Sequence, residues 1–221
     1  MNRYLLKGFT LIELLIVVLI IAILAAIAVP NFLEFQTRAK VSRAMADMRS
    51  LSVATVAYTV DVGVPVPSTQ NYYGQTGSWL SDEELRCWLS TPIAYISNAF
   101  LVDEFADKDP ISSGFAAPNK LYEYQTFEPR VDDSYLGVSD YFPMQVAQDR
   151  GYTFYYGSYG PSHDRNADTG SVATPFDQIG YFIIGGTVDP YIYDPTNGTV
   201  SEGMILFTND GYFDGSKYSK Y

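Results

Sequence analysis

"KGFTLIELLIVVLIIAILAAIAVPNF", residues 7–32, decides how the rest of the chain is read. Phe9 to Val29 is 21 residues, and about 20 apolar residues in a helix cross a bilayer core. Residues 14–29 carry no charged or strongly polar side chain, yet Glu13 stands just before them. A carboxylate at membrane depth costs about 2.5–3.5 kcal/mol on insertion scales, so it needs a partner and a purpose. The run itself shows no partner. A secretory signal peptide would have a shorter apolar region, about 7–15 residues, although "AILAAIAVP" could supply its small-residue cleavage site. Arg3 and Lys7 precede the run while Arg38, Lys40 and Arg43 follow it, so the flanking charges leave its orientation open.

Beyond the run, Pro30 removes a backbone donor, and a kink or local melting is expected there. The helical pattern then resumes. Val41, Met45, Met48, Leu51, Thr55 and Tyr58 recur at three- and four-residue steps among charged neighbours. A helix reaching about Asp61 would be roughly 80 Å long. "DVGVPVPST" (61–69), with two Pro and a Gly, should end it. Residues 70 to about 150 read as a partly irregular insertion anchored by Phe100, Phe105, Tyr122, Tyr124 and Phe127. Within it "SDEELRCWL" reads as a short helix with Ser81 and Glu84 as capping box and Cys87 and Trp88 turned inward. "YTFYYGSY" (152–159), "QIGYFIIGG" (178–186) and "EGMILFT" (202–208) read as strands, and "DPTNGT" (194–199) as a hairpin turn.

The expected class is therefore α+β: a long N-terminal helix, membrane-spanning in its first half, whose second half packs against a small antiparallel sheet. The parts are a transmembrane half at 9–29, an amphipathic half at 30–61 and a globular head at 62–221. The 19 tyrosines are explained by strand content and packing of the insertion.

The 221 residues carry a formal charge of −11, which argues against nucleic acid as a partner. Cys87 is the only cysteine, which excludes an internal disulfide, and His163 is the only histidine, which excludes multi-histidine zinc sites. His163 beside Ser162 and Asp164 does not make a triad, because nucleophile, base and orienting group come from separated segments. No enzyme is expected.

The basic leader ending at Gly8, the Phe-Thr-Leu-Ile-Glu that follows, and the apolar run closing at Pro30 resemble the class III leader and N-terminal helix of the type IV pilin superfamily. The resemblance covers residues 1 to about 60 and takes in both type IV pilins and the pseudopilins of type II secretion. It implies that residues 1–8 are a leader, cut by prepilin peptidase between Gly8 and Phe9, with Phe9 then N-methylated. It also implies a role for Glu13. Glu13 lies four positions after Phe9, on the same helix face, and in the family this acid meets the N-terminal amine of a neighbouring subunit. Opposite charges attract strongly in a low-dielectric layer, and each is costly alone.

One loop suggests a ligand. Asp164, Asn166 and Asp168 alternate as hard oxygen donors suited to calcium. A full EF-hand loop is excluded, since Thr169 stands where its Gly is needed and Pro175 where its Glu is needed. Gly157–Ser158–Tyr159–Gly160–Pro161 is similar to the start of the calcium-binding loop of the major pseudopilin, but Ser162 and His163 replace the Asp-Gly of that loop. An ordinary Asp/Asn-rich turn is the plainer reading of the same residues. "TNDGYFDG" (208–215) reads as a second acidic turn.

Within the superfamily the closer resemblance is to the major pseudopilin of type II secretion, and it does not cover residues 70–150. It implies a structural subunit in a single-pass inner-membrane state with its head in the periplasm, and a filament form that is periplasmic or extracellular. Implied partners are further copies of the chain, prepilin peptidase, an inner-membrane assembly platform and minor pseudopilins. A type IV pilus pilin is the alternative within the class; a membrane-tethered periplasmic binding protein is the alternative outside it.

Overall fold

The computed structural model describes residues 9–68, 82–106, 121–127, 147–161, 192–194 and 203–213. The dominant element is helix α1, Leu11–Val62, 52 residues long. Thr10 caps its start in an extended conformation, and Gly63 ends it in the left-handed region at φ 91°, its N–H donating to Thr59 O at 2.8 Å. The helix continues unbroken through Pro30, so the expected local melting is not seen in its backbone assignment. Pro30 lacks the N–H that would reach Ala26 O.

Residues 9–33 are exposed without exception, and the head takes hold of α1 only further along. Val41, Ala44, Met48, Leu51, Ser52, Ala54 and Thr55 are buried, the three- and four-residue stripe that the sequence announces.

Against this stripe lies a four-stranded antiparallel sheet: β1 Glu123–Thr126, β2 Phe154–Ser158, β3 Ile205–Thr208 and β4 Gly211–Phe213, in that spatial order. Tyr124 pairs with Tyr156, Tyr156 with Phe207 and Phe207 with Tyr212, so one ladder of rings crosses the sheet. Side chains alternate between the two faces with period two. Tyr124, Phe154, Tyr156 and Ile205 join the α1 stripe in one core cluster. Tyr155, Leu206 and Phe213 form a second cluster on the opposite face with Phe127, Ala147, Tyr152 and Met204. All five residues of β2 are buried, as expected for a strand covered on both sides.

Three sequence expectations need correction. The stretch 70–150 contains β1, whose four residues are too short and too polar to register as a strand. Within "TNDGYFDG" the turn is confined to Asn209 and Asp210 of the β3–β4 hairpin, with Thr208 and Gly211–Phe213 in strands and residues 214–215 outside the described residues. In "SDEELRCWL" the inward residues are Leu85, Arg86 and Leu89, while Cys87 is exposed and Trp88 half-buried. Helix α2, Asp82–Arg86, gives way at once to a 3-10 turn, Cys87–Leu89, which changes the angular step and rotates Cys87 outward. Ser81, its expected cap, and the strand expected at 178–186 lie outside the described residues.

Arg86 is buried because its charge is answered. Nη1 donates to Ala99 O at 3.5 Å, Nη2 donates to Tyr122 O, and the guanidinium carbon stands 6.0 Å from the centre of the Tyr156 ring.

Two polar contacts pin the sheet to the helix. Thr55 Oγ1 and Tyr156 Oη share a buried hydrogen bond at 2.8 Å, and Ser52 Oγ donates to Thr208 O at 3.4 Å. Tyr156→Phe should lower unfolding free energy by about 1 kcal/mol. The double variant Thr55→Val with Tyr156→Phe should cost less than the sum of the singles, because no hydroxyl is then stranded. Urea denaturation of the four variants measures both.

Candidate assembly site

The start of α1 is where the sequence places its functional residues. Glu13 occupies the third helical position, and Thr10 and Glu13 form a reciprocal capping box. Glu13 N–H donates to Thr10 Oγ1 at 3.2 Å. In return, Glu13 Oε2 accepts Thr10 N–H at 2.9 Å and Thr10 Oγ1–H at 2.8 Å. The acid therefore does have a partner inside the run, contrary to the sequence reading. The signal was present as Thr10-x-x-Glu13 ahead of an apolar stretch, a pattern that marks helix starts.

The arrangement uses only one carboxylate oxygen. Among the described residues, Glu13 Oε1 accepts no hydrogen bond, and the acid remains exposed on the helix. Phe9 precedes the cap and is exposed, while Gly8, the other half of the expected cleavage site, lies outside the described residues. The helix surface around Glu13 is almost wholly apolar. Its most apolar window has a mean hydropathy of 3.2, long and apolar enough to cross a membrane, and none of it is covered by the head. Such a surface calls for lipid or other protein.

Charges return to α1 only beyond Pro30. Glu34 pairs with Arg38 at 2.6 Å, and Arg43 reaches Asp47 at 3.8 Å and also Glu104 in the head. Tyr122 Oη donates to Asp47 Oδ2 at 3.1 Å. Burial first, then the Asp47 and Asp103 charges, hold the Tyr122 phenol well above its usual range, so it stays protonated as the donor.

Asp164, Asn166 and Asp168, the calcium candidates, lie outside the described residues. The described chain leading to them ends in a fixed turn. Buried Asp103 accepts Ser158 Oγ–H at 2.8 Å and Phe105 N–H at 3.0 Å on one oxygen, and Tyr159 N–H at 3.0 Å on the other. Sequence reading missed this anion, because nothing in "LVDEFAD" separates buried Asp103 from exposed Glu104.

A capped apolar helix with one acid at its head, half gripped by a small antiparallel sheet, is long and apolar enough to lie in a membrane or against other protein. Residues 7–29 match the model of the prokaryotic N-terminal methylation motif. The N-terminal part of the chain is 56% identical over 52 residues to the type IV major pilin protein PilA of Myxococcus xanthus, covering 24% of each chain. It is 44% identical over 76 residues to the type IV major fimbrial protein FimA of Dichelobacter nodosus, covering 34% of this chain and 47% of that one. It is also 41% identical over 70 residues to the type II secretion system core protein G of Pseudomonas aeruginosa, covering 32% of this chain and 49% of that one. The matches thus span about a quarter to a half of the length of these relatives. No solved structure matches.

Proposed function

We propose that the chain is a structural subunit that is trimmed between Gly8 and Phe9, methylated at Phe9 and assembled into a helical filament. The observation that carries this reading is the start of α1: one acid, half satisfied by its own cap, on an apolar helix that the head leaves bare from residue 9 to residue 33. In the filament, the neighbour's N-terminal amine completes Glu13, and neighbouring helices cover the apolar surface. Before assembly the same helix anchors the chain in the cytoplasmic membrane, with the head on the periplasmic side. The methylation motif and the pilin, fimbrial and secretion relatives support this reading.

Between the two systems in which such relatives occur, we favour a pseudopilin of type II secretion over a pilus pilin. Many pilins close their C-terminal region with a disulfide, and Cys87 has no second cysteine to join.

Mass spectrometry of the mature chain from native membranes tests the proposal. The expected first residue is Phe9 carrying one methyl group. A chain that begins at Met1, or after a cut within "AILAAIAVP", overturns it.

A further inference from the structure

The far end of α1 holds a cavity of about 400 Å³, lined by Tyr58 and Val62 of the helix, by Trp88 of the 3-10 turn, and by Thr91, Pro92, Ile93 and Tyr95 of the chain that follows it. Pockets of this volume are the size that small ligands occupy. Its aromatic members are set at angles rather than stacked flat, the Tyr58 and Tyr95 rings standing 5.6 Å apart at 76°. Such a set presents both ring faces and ring edges to the space between.

The electrostatics of this corner run in one direction. Tyr95 Oη donates to Asp61 Oδ2 at 3.0 Å, which fixes a carboxylate beside the hydroxyl of one lining ring. The last turn of α1 carries no basic residue, so the partial negative charge at the end of a 52-residue helix has no cation from its own turn. Ring faces are negative as well. Desolvation, then the hydrogen bond to Asp61, pushes the Tyr95 phenol up, which keeps its hydroxyl protonated as the donor. Three sources of negative potential, from rings, carboxylate and helix end, converge on one apolar-walled space.

We propose that this cavity binds a quaternary ammonium group, with Tyr58, Trp88 and Tyr95 as its aromatic walls and Asp61 as its counter-charge. A primary ammonium brings three N–H donors that need acceptors; the lining offers side-chain oxygens only at Thr91, Tyr58 and Tyr95, while Val62, Trp88, Pro92 and Ile93 offer none. An alkylated cation has no donors to satisfy and presents methyl groups to those walls. Its charge is still attracted by aromatic faces.

Isothermal titration of the full chain in maltoside micelles with choline chloride tests this. The controls are 3,3-dimethylbutan-1-ol, the uncharged isostere of choline, and n-butylammonium chloride. Choline is expected to bind about tenfold more tightly than either. Asp61→Asn, at an exposed position and still able to accept from Tyr95, should weaken choline severalfold while leaving the isostere unchanged; Trp88→Leu should weaken both. Absence of choline binding overturns the proposal. So does an isostere that binds as tightly, which would make the cavity a plain apolar pocket, or a butylammonium that does, which would make it a general cation site. Unchanged choline affinity in Asp61→Asn also overturns it, whatever Trp88→Leu does.

Discussion

Glu13→Gln leaves a chain that folds and inserts normally but forms no filaments: this is the expected result of removing one charge. Gln can replace Glu in a capping box, so the bonds from Thr10 N–H and Oγ1 that Glu13 Oε2 now accepts have an amide oxygen to receive them, and the helix start survives. What disappears is the anion that a neighbour's amine would meet. Removing one partner of a buried ion pair costs about 3–5 kcal/mol, because the other is left uncompensated. That is roughly two to four orders of magnitude in the association constant at every subunit contact. Thr10→Val provides the converse, deleting the hydroxyl and keeping the charge. Its cost is about 1 kcal/mol at the helix start, and filaments should persist. Electron microscopy of sheared filaments, with membrane fractions blotted for the subunit, reads both. Normal filaments from Glu13→Gln would remove the electrostatic basis of the assembly proposal.

Gly160→Ala should be the most destabilising small substitution in the head. Gly160 sits at φ +71°, and a Cβ built there would lie 2.3 Å from Gly203 O and 3.4 Å from Gly203 C. Both obstacles are backbone, so no side-chain rotation relieves them. The left-handed conformation alone costs about 1–2 kcal/mol for a residue with a Cβ. The clash must also push the 203 segment away, and that segment leads into β3, where Ile205 pairs with Ser158. A total above about 3 kcal/mol is a large share of the 5–15 kcal/mol that typically separates folded from unfolded domains. Gly151→Ala is the matched control: its φ is +87°, but nothing lies within 4 Å of the added Cβ. It should cost only the conformational part. Near-ultraviolet circular dichroism, which follows the packed tyrosines rather than the long helix, gives both melting midpoints. Equal losses would mean that Gly203 yields and that the close approach is not structural.

Gly160 also shows what sequence can and cannot convey. It drew notice because Gly157–Ser158–Tyr159–Gly160–Pro161 is similar to the start of a calcium loop. The fold supplies its own reason for the glycine, a backbone approach between residues far apart in sequence. The α1 stripe was legible because helical packing repeats every three or four residues, and Val41, Met48, Leu51 and Thr55 keep that interval for fifteen positions. Strand β1 was not, because Glu123 to Thr126 shows its pairing only in the presence of β2. The burial of Arg86 was not legible because it depends on the carbonyls of Ala99 and Tyr122, 13 and 36 residues away. At the candidate assembly site, Glu13 stood out as an unusual acid in an apolar run and Phe9 came from the family resemblance, while the Thr10-x-x-Glu13 spacing was there to be read but its reciprocal bonds are seen only in three dimensions.

The late grip of the head on α1 sets a stand-off. Eleven residues separate Pro30 from Val41, the first buried position of the stripe, and at 1.5 Å per residue that is about 16 Å of rod. When the apolar run lies in a bilayer, the headgroup layer takes up only about 5–7 Å of this length. Roughly 10 Å of α1 lies between the headgroup layer and that first buried position, slightly more than the Debye length of about 8 Å at physiological ionic strength. Charges on the described chain at or beyond Val41 would thus meet anionic lipid with most of the repulsion screened.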